Sequence, residues 1–122
     1  MRPLWPIERA VLEAAAHDYG AAAEGLRKQL AAAQVTDFEN TGAGFFSTVK
    51  VSADAPRLTE KSPLDAATAS VGSIEHGMGF LVFLENGYVS LIEGYTCGDV
   101  STEVVDFASV HFEMKPWSLA GQ

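Results

Sequence analysis

Basic residues nearly vanish from the second half of this chain. From Ser62 onward Lys115 stands alone against eight acids, which is −7 of a total formal charge of −8. A surface of that sign repels phosphate backbones, so it argues against nucleic-acid binding and fits a basic protein partner or a cation. The same excess of acid also serves simply to keep an apolar domain soluble. Cysteine is almost missing as well. Cys97 alone excludes an intramolecular disulfide and suits a reducing compartment. Long apolar runs are absent: none nears the ~20 residues of a membrane-spanning helix. Glu8, Arg9 and Glu13 interrupt the N-terminal stretch that a secretory signal would keep apolar. These absences predict a cytoplasmic protein with no membrane partner.

What is present is an ordinary globular composition. The 122 residues are 48% hydrophobic, enough for one domain with its own core. Pro6 suits a first helical turn. Ile7, Val11, Ala14 and Ala15 then repeat at helical spacing, with the charged residues elsewhere on the wheel. Gly20 is expected to end this helix. A second runs to about Ala33 with Ala22, Leu26, Leu30 and Ala33 as its apolar stripe. After Gln34 the period shortens, and residues 35–51 read as two strands around a turn at 40–44. That glycine-rich turn lacks the lysine of a phosphate loop and leads into a strand, so turn glycines explain it best. Residues 52–69 have no period and form a long loop, the natural moving part. A strand ending at Gly77, a hairpin, and a last strand over 103–114 complete the chain.

The hairpin carries the strongest local signal. Asn86-Gly87 supplies the two positive φ angles of a tight turn. Counting outward pairs Leu84 with Val89, Val82 with Leu91 and Phe80 with Glu93. One face then holds Phe80, Val82, Leu84, Val89 and Leu91; the other holds Leu81, Phe83, Tyr88, Ser90 and Ile92. Both are apolar, and two helices cover only one. The second face, with Leu81, Phe83, Tyr88 and Ile92, is expected to be covered by self-association or by the 52–69 loop.

The polar ends of this hairpin hold the candidate site residues. Glu93, placed opposite Phe80, would be a desolvated carboxylate suited to acid–base work, with His76 or Tyr95 assisting. The bland alternative is a strand-end carboxylate and a turn histidine. His76, Glu93, Cys97 and His111 are chemically fit for zinc, but no CxxC or HExxH spacing joins them, so no metal or cofactor is expected. Cys97 has an acid, Asp99, for a near neighbour, which disfavours a reactive thiolate. The reading is therefore a homodimeric binding or interaction module, with a small cofactor-free hydrolase or isomerase as the alternative.

Three phrases, LRKQLAAAQVT at 26–36, TGAGFF at 41–46 and HGMGFLVFLENGYVSLIEGYT at 76–96, resemble a group of small bacterial proteins of uncharacterised activity. In that group the strand exit continues into a Pro-Trp pair, where this chain has Gly98-Asp99-Val100-Ser101. The resemblance implies helices on an antiparallel sheet and no particular activity. Patterning points the same way. Two helices followed by strands predict an α+β domain, the helices packed on a mostly antiparallel sheet of five or six strands with a central hairpin.

Overall fold

Pro6 starts the first helix of the computed structural model, which describes residues 1–116. This helix, α1 (Pro6–Asp18), buries Ile7, Val11, Ala14 and Ala15 as their spacing requires, and Leu12 beside them. It ends at Tyr19, whose N–H donates to the Ala15 carbonyl. Gly20 does not take a left-handed conformation; it opens a 3-10 turn, Gly20–Ala22, that leads directly into α2 (Ala23–Ala31). Neither helix is long and apolar enough to cross a membrane.

The strands are β1 (Arg2–Pro3), β2 (Gln34–Asn40), β3 (Gly44–Lys50), β4 (Leu64–Val71), β5 (Met78–Glu85), β6 (Tyr88–Thr96) and β7 (Phe112–Pro116). Among the described residues they make one antiparallel sheet in the order β1-β2-β3-β6-β5-β4-β7. The α+β class and the central hairpin match the sequence reading; the seven strands exceed the five or six expected. The extra edge strand β1 is too short to carry any period. The last strand starts at Phe112 rather than 103, because the preceding residues form turns that tuck Phe107 into the core. The strand expected to reach Gly77 stops at Val71, and the loop expected over 52–69 ends at Pro63, where β4 begins its alternation onto the core.

One sheet face is covered. Phe45, Leu64, Met78, Phe80, Val82 and Ile92 point from it into the core beneath α1, α2 and the segment 97–111. Phe107 brings that segment down onto Phe45, with ring centroids 4.8 Å apart. The residue 51–63 loop folds against α2 and the hairpin turn. Buried Gln29 on α2 donates to the Pro56 and Gly87 carbonyls and accepts from the Val89 N–H, so one amide ties helix, loop and hairpin together.

Glu8 is the unexpected member of the core. Its neighbours in sequence suggested an outward residue, yet it is 0% exposed. Both its oxygens accept from the Arg2 guanidinium at 2.8 Å, the Trp5 backbone N–H donates to it at 2.7 Å, and the Ser47 hydroxyl donates to it from β3. Arg2 also lies 3.4 Å from the centre of the Trp5 ring, a cation–π contact that holds the guanidinium in place.

The hairpin departs from the counted register in one informative way. Asn86 and Gly87 have φ of 54° and 83°, and Leu84 faces Val89, both as expected. Past that pair a bulge intervenes: Phe83 faces Leu91, and Ser90 is the extra residue, its hydroxyl donating to the Phe83 carbonyl at 3.2 Å. One added residue sends every later side chain of β6 to the opposite face. Ile92 therefore belongs to the core, not to the outer face on which it was expected, and Leu91 takes its place outside. Glu93 faces Leu81, and Phe80 faces Gly94. A Cβ at Gly94 would lie 2.6 Å from the Phe45 ring, so the aromatic core needs glycine there.

Replacing Arg2 by alanine leaves the Glu8 carboxylate buried without its countercharge. The expected loss is about 3–5 kcal/mol of unfolding free energy, read from urea denaturation, with partial recovery when Glu8→Leu is added. A loss below about 1 kcal/mol would mean that the pair behaves as a surface salt bridge.

Candidate functional site: the open face of the sheet

Alternation assigns the other sheet face residue by residue. Across five neighbouring strands one row runs Glu39, Phe46, Glu93, Leu81, Asp65. Beside it, towards the hairpin turn, a second row runs Asp37, Thr48, Leu91, Phe83. On the far side a third runs Gly44, Tyr95, Gly79, Thr68, Lys115. Phe46, Leu81, Phe83 and Leu91 thus form one apolar centre, each half-buried by its neighbours. The helices and the segment 97–111 pack on the opposite face, and the 51–63 loop packs at α2 and the hairpin turn. The loop therefore leaves this centre open.

Glu93 sits in the middle of the first row, half-buried between Phe46 on β3 and Leu81 on β5. Among the described residues no cation pairs with it, nor with Glu39 or Asp65. Tyr95 is two residues further along the same face. Its ring lies over Gly79, where a Cβ would come within 2.4 Å of the phenol. Burial of that ring raises the Tyr95 pKa above its ordinary value of 10.0, and the negative charges of Cys97, Asp65 and Glu93 raise it further. The phenol is held in its neutral, donating form.

His76 does not join them. It occupies the turn between β4 and β5 with a positive φ of 68°, is exposed, and pairs with Glu75 at 3.5 Å. It lines a shallow cleft with Thr68, Ile74, Glu113 and Met114, and neither Glu93 nor Tyr95 lines that cleft. Tyr88 lies at the hairpin end, its hydroxyl donating to the Ala53 carbonyl of the loop. Cys97 is exposed, with its N–H donating to the Gly77 carbonyl. Among the described residues no three His, Cys, Asp or Glu side chains stand together as a metal site.

Sequence reasoning had found Leu81 and Phe83 but missed Phe46, Leu91, Glu39 and Asp65 as parts of this surface. The adjacent aromatics Phe45-Phe46 were a usable signal, since neighbours on a strand point to opposite faces and one had to look outward. No family model, no curated protein and no solved structure matches the chain.

The raised Tyr95 pKa carries a definite sign. The folded state holds this proton more tightly than the unfolded chain does. Its contribution to stability is complete below the unfolded tyrosine pKa and is lost as pH rises through the higher folded value. Ultraviolet titration should show one phenol ionising above the ordinary tyrosine range, and Tyr95→Phe should remove it and lessen the alkaline loss of stability. Asp65→Asn should move the same titration downward; an unchanged curve would mean that the ring is not beside these charges.

Proposed function

We propose that this chain is an interaction module that docks another protein chain on the open face of its sheet. The observation supporting this reading most is the register itself. It gathers Phe46, Leu81, Phe83 and Leu91 on the one face that neither the helices nor the long loop covers. Contiguous apolar surface on a soluble domain marks contact sites, and aromatic anchors with polar surroundings are the usual composition of the energetic centre of such contacts. The acid–base reading has less behind it. It asks for groups converging on one enclosed site, whereas His76 lines a cleft that neither Glu93 nor Tyr95 lines.

A photo-crosslinking amino acid in place of Leu91 tests this in the native cell, with the same group in place of exposed Arg27 on α2 as control. The expected result is a discrete higher-mass adduct from position 91, absent from position 27 and lost when Phe83→Ala is added. Truncating a central aromatic anchor typically costs above ~1–2 kcal/mol of binding. No discrete adduct from position 91, or equal adducts from both positions, would overturn the reading.

A further inference from the structure

We infer that the occupant of the open face is a basic amphipathic helix of another protein, an inference that rests on the docking role just proposed. Charge and spacing argue for it independently. Strand alternation puts six carboxylates on this face, Asp37, Glu39, Asp65, Glu85, Glu93 and Glu113, against two lysines, Lys50 and Lys115. The carboxylate that matters most is Glu93. Half-buried between Phe46 and Leu81 and without an ion pair among the described residues, it loses its remaining water as soon as anything covers the apolar centre. An uncompensated carboxylate under a contact opposes binding strongly, so the occupant must bring a cation to that point.

A second copy of this chain fits less well. Its open face brings six acids against two lysines, and both lysines stand at the margins: Lys50 ends β3, and Lys115 lies on the edge strand β7. The complement is a foreign chain with basic side chains set among apolar ones.

The spacing selects its conformation. The row Glu39, Phe46, Glu93, Leu81, Asp65 alternates acid and apolar, one residue per strand. With strands about 4.7–4.9 Å apart, successive carboxylates lie about 9–10 Å apart. A helix laid along the row returns to the same face every seven residues, about 10.5 Å, with its third or fourth residue falling between. Lysine or arginine once per heptad meets Glu39, Glu93 and Asp65, and the apolar residues between meet Phe46 and Leu81. An extended segment repeats on one face at about 6.6 Å or 13 Å and misses this interval.

The probe is a fluorescent helical peptide of three heptads, with lysine at one position of each heptad and leucine three and four residues on. Its control has glutamate at the lysine positions. Saturable binding of the lysine peptide, weakened by added salt, is expected in anisotropy titrations, with no binding of the control. Glu93→Gln and Leu81→Ser, each checked for an unchanged melting curve, should each weaken it about tenfold. Equal binding of both peptides, or full affinity in Glu93→Gln, would overturn the inference. So would a crosslinked adduct from position 91 with twice the mass of the chain, which identifies a second copy as occupant. A peptide that fails while the position 91 adduct persists in the cell overturns the basic helix and leaves the docking face standing. Loss of both overturns the two readings together.

Discussion

A carboxylate cut off from water has to find its hydrogen bonds within the protein, and the burial of Glu8 organises the domain around that need. Its four donors come from three places: the guanidinium of Arg2 on β1, the backbone at the start of α1, and Ser47 on β3. Removing any of them leaves a buried polar group short of a partner, which is why such clusters specify one arrangement more sharply than apolar contact does. Here the cluster fixes the first turn of α1 against the face of β3 that carries Phe45, Ser47 and Val49. Once that face is chosen for the helices, the opposite face has to be the open one.

The open face follows from a shortage of covering material. Among the described residues, two short helices and two loop segments suffice for one side of a seven-stranded sheet. Gln29 holds the 51–63 loop to α2 and the hairpin turn, and Thr102, bonded to Asn40 and Gly44, anchors the 97–111 segment on the helix side. Among the described residues, the two segments that could have crossed to the other side are thus committed elsewhere. The apolar centre and its surrounding acids then present one combined chemistry, in which apolar contact supplies attraction and charge supplies selectivity.

Much of this architecture was legible in the residues. Pro6, the stripe of Ile7, Val11, Ala14 and Ala15, and the Asn86-Gly87 turn each act through local geometry, and local geometry is what a sequence displays. The parts that were not legible depend on distant partners. Glu8 looked solvent-facing because the residue that needs it, Ser47, is 39 positions away. Residues 103–111 alternate like a strand, but they form turns, and Phe107 is drawn to Phe38 and Phe45 instead. The candidate site was half legible. Leu81 and Phe83 follow from counting out from the turn, and Glu93 and Tyr95 were singled out. Their companions Phe46, Leu91 and Asp65 required knowing which strand lies next to which.

The bulge at Ser90 has a wider meaning. Composition alone does not say which residues of β6 belong to the inside, because Leu91 and Ile92 are isomers able to serve in either place. What separates them is the number of residues between the turn and the strand. In this protein the length of a segment acts as information in its own right. Two related chains differing by one residue there would offer different surfaces from almost the same letters, so a single insertion or deletion would alter recognition more abruptly than a run of substitutions.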